Sequence, residues 1–271
     1  MPTQTEAIDT AWTPTPEITD AERAAFARDG VVCIRGALPR AVAEDLCRIY
    51  DTAMAGVTNL RDRVRVPDAF APYILNDRIP ALVGRLVGAT SVGFYWKQMF
   101  EKPIGSTFRT PWHHDAAGWP LKGPHIIGAW IALTPVVPAN GLECLAGSHR
   151  WPDLYWAETA NGRAMPPPPD RPRCPDFEER RADPSLKFLG WTMNPGDALF
   201  IHPRTLHFSC GNRTQTQRRL ALATWWHGDD LAWDPRPECE PFPAGVDADS
   251  VRPGERPFGD GIPILWRAPA P

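Results

Sequence analysis

The sequence predicts a mainly β protein with flanking α-helices, built as a double-sheet barrel of the jelly-roll or cupin type. Three observations predict it. Short apolar and aromatic runs recur from Ser91 to Trp226. Turn signals such as Asn140-Gly141 and Pro195-Gly196-Asp197 punctuate them, and helical periodicity is confined to the first ninety residues. The chain has 271 residues, 43% apolar and 23% charged. That balance and length suit one globular domain spanning 1–271.

The elements follow in order. Met1 to Glu17 is polar and Thr/Pro-rich and reads as a flexible N-terminus. Thr19-Asp20-Ala21-Glu22 is a capping box, so a helix starts there and runs to about Arg28, where Asp29-Gly30 stops it. Val31 to Arg35 reads as a buried strand. Pro39 occupies a favoured first helical position, and Val42, Leu46, Ile49 and Tyr50 continue at helical spacing to about Met54. A third helix runs from near Pro80 to Gly88. Strands are expected at Ser91–Lys102, Ile126–Leu133, Leu142–Leu145, Lys187–Met193, Ala198–Ile201, Leu206–Ser209 and Arg219–Trp226. Prolines at 166, 167, 168, 169, 172 and 175 exclude helix or central strand. Residues 161–184 therefore form a surface loop, a candidate lid. Residues 229–271 read as an irregular tail.

Bulk properties narrow the function. A net charge of −3 carries no basic excess to attract nucleic acid or an anionic membrane surface. No run of 18 apolar residues and no leader-like N-terminus are seen, so neither a membrane nor secretion is expected. None of the six cysteines forms a CxxC pair, which excludes a zinc knuckle and fits a reducing cytoplasm.

One constellation carries chemistry. In an extended chain, residues i and i+2 project to one side, so His113 and Asp115 face the same way while His114 points away. His207, after Pro195-Gly196-Asp197, supplies a third ligand. Two imidazoles and a carboxylate on one face make the facial triad of non-haem iron(II) oxygenases, with positions open for a bidentate 2-oxo acid and O2. A surface histidine and a turn aspartate would give the same His-x-Asp letters. The reading gains from a nearby arginine. Arg218 is the residue expected to pair with the far carboxylate of 2-oxoglutarate, since a guanidinium forks onto a carboxylate and stays charged.

The motifs Trp112-His113-His114-Asp115, Trp130-Ile131-Ala132-Leu133, Asn140-Gly141-Leu142, Gly147-Ser148-His149-Arg150, His202 to His207 and Asn212 to Arg218 resemble the phytanoyl-CoA dioxygenase family in order and spacing. The opening Phe26 to Val32 is also similar. The resemblance covers Ile18 to Gly228. It implies a double-stranded β-helix, with iron(II) on His113, Asp115 and His207, and 2-oxoglutarate and O2 as cosubstrates. It also implies Arg218 on the 2-oxoglutarate carboxylate, and Trp130 and Gln98 lining its pocket. His114 stands where the family often has Gln, and the usual Pro before Gly147 is missing. Halogenating relatives replace the carboxylate ligand with Gly or Ala, so Asp115 favours hydroxylation over halogenation.

The expected activity is hydroxylation of an unactivated C–H bond of a small metabolite or natural-product intermediate in secondary metabolism, releasing succinate and CO2. Competing readings are desaturation, cyclisation or epimerisation at the same site, a cupin-like metal enzyme without O2 chemistry, and a non-catalytic binding protein. The partner is a small molecule; oligomeric state is not legible.

Overall fold

The computed structural model describes residues 13–59, 62–156, 159–160, 163–164, 168, 170–236, 239, 246 and 251–270. Two antiparallel sheets face each other, with helices packed on the outside of the larger one. The N-terminal half supplies α1 (Asp20–Asp29), β1 (Val31–Ile34), α2 (Arg40–Ala53), α3 (Ala71–Ile74) and α4 (Arg78–Val87). The barrel adds β2 (Ser91–Lys102), β3 (Thr110–His113), β4 (Leu121–Lys122), β5 (Ile127–Ala132) and β6 (Glu143–Leu145). A two-stranded hairpin, β7 (Thr159–Ala160) and β8 (Arg163–Ala164), precedes β9 (Phe188–Gly190), β10 (Ala198–Ile201), β11 (His207–Ser209) and β12 (Arg219–His227). Beyond them lie β13 (Ala232–Trp233) and β14 (Ile264–Arg267).

Local chemistry explains the ends. The Thr19 side chain accepts from Glu22 N while Glu22 returns a bond to Thr19 N, so the capping box forms as expected. Gly30 closes α1 at φ 76°, a left-handed conformation that glycine adopts without strain. Pro39 is the residue before α2 rather than its first helical residue. α2 buries Val42, Leu46 and Tyr50 of the stripe read from the sequence, together with Ala43, while Ile49 is half-buried.

The larger sheet has the order β1-β10-β5-β12-β2-β14, and the smaller β3-β11-β6-β9. β12 shows how the layers separate. Leu220, Leu222 and Trp226 join the cluster under the helices, while Ala221, Ala223 and Trp225 join the cluster between the sheets. That is the period-two alternation of a strand buried on both faces. A third cluster coats the outside of the smaller sheet, where Trp112 stacks on Phe208 and packs edge-on against Phe177.

Two expectations change here. The C-terminal stretch is not irregular throughout: β14 pairs antiparallel with β2 and forms the edge of the larger sheet, and β13 pairs with β4. Trp266 of β14 fits against Gly84 of α4, where an added Cβ would collide with the indole at 2.1 Å. Within the Pro-rich segment, 170–184 is anchored, with Phe177 buried against the smaller sheet. Residues 161–162, 165–167 and 169 lie outside the described residues, as do 1–12 of the N-terminus. Thr13, just after them, accepts a hydrogen bond at its carbonyl from Arg78. Among the described residues no helix is long and apolar enough to cross a membrane.

Candidate metal centre and its cavity

The three predicted ligands converge. His113, at the end of β3, lies directly across from His207, at the start of β11, and their rings sit 4.2 Å apart. Asp115 is not in an extended run with His113. It opens a 3-10 turn, Asp115–Ala117, which is tied to the loop before β11 by Ala116 N donating to Pro203 O at 2.9 Å. The turn still aims the carboxylate back, with Oδ1 3.7 Å from His113 Nε2 and 3.8 Å from His207 Nε2.

Hydrogen bonds fix the tautomers. His113 Nδ1 lies 2.8 Å from Pro111 O, and His207 Nδ1 lies 3.0 Å from Thr205 O. A carbonyl only accepts, so both Nδ1 atoms carry the proton and both Nε2 atoms present lone pairs. Burial, reinforced by the neighbouring His207, pushes His113 down to about 4, so it is neutral at pH 7. Two imidazole lone pairs and a carboxylate oxygen then face one another within 4.8 Å. That arrangement is repulsive alone and attractive around a divalent cation, and its donor types suit non-haem iron.

The second oxygen of Asp115 is held from elsewhere. Trp225 Nε1 donates to Asp115 Oδ2 at 2.9 Å.

These groups open into a cavity between the sheets. Its walls include Phe100, Ala129, Trp130, Leu142, Ile201, Ala223 and Trp225, with Thr110, Ser209 and Arg219 as further polar groups. The arginine is not the one expected. Arg218 points to the helix side, where it pairs with Asp51 at 2.6 Å and Glu101 at 3.3 Å. Burial opposes its charge, but those two carboxylates hold its pKa raised. Arg219 begins β12 and shares the inward face with Ala221, Ala223 and Trp225. Arg218, expected to bind the carboxylate, therefore lies off the cavity, and the arginine that lines it is Arg219. Side-chain alternation puts the two arginines on opposite faces of β12.

Arg219 is 1% exposed, and among the described residues no acid forms an ion pair with it. Its Nη1 donates to Ser209 Oγ at 2.8 Å and Asn140 O at 3.2 Å, while its buried Nε–H has no partner. The guanidinium carbon sits 5.4 Å above the Trp130 ring. Burial pushes its pKa down to about 10, so it keeps its charge at pH 7. A buried cation with a free donor beside a cavity is a receptor for an anion.

Trp130 lines the cavity as expected. Gln98 pairs in register with Ala223 but is not among the residues lining it. His114 points away, with Nε2 accepting from Tyr155 N at 3.0 Å. His227 is buried against Gly93 rather than facing the cavity. Trp225, Ser209 and Phe100 were not singled out as site residues. The available signal was the small Ala221 and Ala223 alternating with Leu220 and Leu222, since the small side leaves room for a ligand.

Comparison with known proteins follows from this geometry. The sequence profile of the phytanoyl-CoA dioxygenase (PhyH) family matches residues 26–220. A probable phytanoyl-CoA dioxygenase of Caenorhabditis elegans is 30% identical over 132 residues, 46% of this chain and 38% of that protein. The chain spans less than two-fifths of the curated relatives it matches. Among solved structures, the epimerase SnoN in complex with Fe3+, alpha ketoglutarate and nogalamycin RO aligns with a TM-score of 0.67. It is 23% identical and covers 91% of this chain and 98% of its own. The carbocyclase SnoK from nogalamycin biosynthesis aligns at 0.65 and 20% identity, covering 92% and 97%. At these identities the likeness speaks to the fold.

Proposed function

This chain belongs to the phytanoyl-CoA dioxygenase family, and from that premise we propose that it is a mononuclear iron(II) oxygenase consuming 2-oxoglutarate and O2 to oxidise a C–H bond of a small molecule. The observation that carries the reading is the pairing of two features across one cavity: three convergent metal donors, and a buried arginine with no acidic partner among the described residues. His113, Asp115 and His207 would hold the iron. When bound, that ion supplies O2 activation coupled to decarboxylation of the 2-oxo acid. The protein's own residues do the rest. Arg219 clamps the distal carboxylate, with Ser209 and Trp130 bordering it, and so fixes which end of the cosubstrate faces the metal donors. Phe100, Ile201 and Trp225 keep water from the reacting end.

Hydroxylation is favoured over halogenation, because Asp115 retains the carboxylate that halogenating relatives lack. Epimerisation and ring closure are the second reading, motivated by the named activities of SnoN and SnoK. The predominantly apolar lining favours a substrate that buries a hydrocarbon or aromatic portion.

The test is succinate formation from 2-oxoglutarate by purified protein with iron(II), ascorbate and O2, beside His113→Ala and Arg219→Ala. The reading expects iron-dependent succinate that disappears in the first variant and needs far more cosubstrate in the second. No turnover, with no 2-oxoglutarate binding by anaerobic calorimetry, would move the assignment to a metal protein of other chemistry or a binding protein.

A further inference from the structure

We propose that Trp225 is a positioning residue that restricts Asp115 to ligation through one oxygen, and thereby keeps a coordination position open. The inference rests on the metal-site reading above. The Asp115 carboxylate is divided between two environments. Oδ1 faces both imidazole Nε2 atoms at 3.7 and 3.8 Å, while Oδ2 takes the indole N–H at 2.9 Å. Two-oxygen ligation requires Oδ2 to turn from the indole, leaving a buried N–H unpaired, which the fold resists. The facial triad with a one-oxygen carboxylate leaves three positions on an octahedral ion. A bidentate 2-oxo acid takes two, so the third is available to O2 only while Asp115 stays on one oxygen.

The fold builds this contact deliberately. Side-chain alternation on β12 runs unbroken through Trp225 and Trp226 and turns Trp225 inward; the residue left over at the β12–β2 register shift is Tyr95 of β2. Trp225 is paired across β5 with Gly128, and an added Cβ there would lie 3.2 Å from Nε1 and 3.4 Å from Cδ1. The absence of a side chain at 128 lets the indole cross β5 to reach Asp115. Trp119 packs against the indole edge-on at 5.7 Å and 85°. The indole is therefore confined from two directions with its N–H on one carboxylate oxygen.

The experiment is a Mn(II) titration read by water-proton relaxivity, on wild type, Trp225→Phe, Gly128→Ala and His113→Ala, with the melting of each metal-free protein recorded. Relaxivity per bound ion reports how many waters the metal carries. Wild type is expected to bind one Mn(II), and His113→Ala to lose it. Trp225→Phe keeps a ring but no donor; affinity should fall about 10- to 100-fold. Relaxivity per bound ion should fall by about one third as a third water site is lost to the second carboxylate oxygen. Gly128→Ala, which displaces the donor without deleting it, should move both readouts in the same direction. A purely structural role for Trp225 would lower the metal-free melting temperature and leave relaxivity per bound ion at the wild-type value; that result overturns the proposal. If Trp225→Phe does not fold, Gly128→Ala decides by the same two quantities. Failure of wild type to bind Mn(II), or equal binding by His113→Ala, sinks the metal site itself and this inference with it. That pattern differs from a Trp225 variant that behaves as wild type.

Discussion

Replacing Arg219 by Met tests the anchor directly, because the same substitution has opposite consequences for cosubstrate and for folding. The guanidinium is 1% exposed, donates to one hydroxyl and one carbonyl, and among the described residues meets no carboxylate. Bound to 2-oxoglutarate it would form charge-assisted hydrogen bonds to the distal carboxylate, each worth about 1.5–3 kcal/mol. Losing one to two of them weakens binding by roughly 2–4 kcal/mol, about 30- to 1,000-fold. In the cosubstrate-free protein, Met removes an uncompensated buried charge while sacrificing two neutral-acceptor bonds, so stability should change by no more than about 1 kcal/mol, and upward is as acceptable as downward. Arg218→Met should do the reverse. It strips Asp51 and Glu101 of a partner on the helix side, costing about 1 kcal/mol of stability with little effect on cosubstrate affinity. The assay is 2-oxoglutarate binding by anaerobic calorimetry with metal loaded, together with denaturant midpoints of the metal-free proteins. A large affinity loss in Arg218→Met with near-normal binding in Arg219→Met would refute the assignment of faces on β12.

Three further outcomes follow. Glu101, nearly buried, accepts from Arg63 at 2.5 Å, from Tyr50 at 3.2 Å and from Arg218 at 3.3 Å, so Glu101→Ala leaves cations uncompensated and should cost roughly 3 kcal/mol in urea unfolding while sparing cosubstrate affinity. His113→Ala should melt like wild type without metal but lose the upward shift that a divalent ion gives wild type, roughly 5 °C at one hundred times the dissociation constant. Lys102 is buried and donates to the carbonyls of Phe108, Ser209 and Cys210, while burial, reinforced by Arg219, pushes its pKa down to about 7. Its folded pKa lies below the unfolded value, so at this site the unfolded chain binds more protons above pH 7, and Lys102 contributes a rise in stability from pH 7 to 9 that the buried cysteines, pushed up by burial, oppose as pH nears 9. That slope should flatten in Lys102→Met, measured by denaturant midpoints across the range; an unchanged slope would exclude Lys102 as its source.

How much was legible in the sequence depended on whether a signal was local. β2 and β10 appear at their expected bounds, because their patterning and flanking turns are complete within a dozen residues. β14 was not legible. Four residues at a sheet edge, preceded by a Pro- and Gly-rich stretch, carry too little pattern, and their place is set by pairing with β2 and by Trp266 against Gly84. The ligands were legible because their residue types are chemically scarce and the strand pair β3–β11 brings His113 and His207 face to face. The arginine was misassigned by one position because the count from His207 crosses a loop of irregular geometry, where Asn212 ties the backbone through Lys102 O and Gln217 O. A count cannot follow such a loop, whereas the parity of the strand after it can. Trp225 was out of reach, since its hydrogen bond joins residues 110 positions apart.

Parity alone does not tell which face of β12 binds a ligand, and charge balance supplies what is missing. Arg218 and Arg219 are chemically identical neighbours, and both are largely removed from solvent. On the helix side the protein provides two carboxylates, so the positive charge at 218 is already neutralised and has nothing left to recruit. On the inner side the described residues offer only a hydroxyl, a carbonyl and an aromatic face, which orient a guanidinium without cancelling its charge. Folding tolerates that residual charge at the cost of stability, and the imbalance is relieved only when an anion enters the cavity. The metal donors have the opposite character: two imidazole lone pairs and a carboxylate converge. A cavity holding an unmatched positive end and an electron-rich end is complementary to a chelated metal and a carboxylate joined by a short chain. That complementarity is independent of family resemblance: the positive end lies on β12 of the larger sheet, and the electron-rich end on β3, the turn after it and β11 of the smaller sheet.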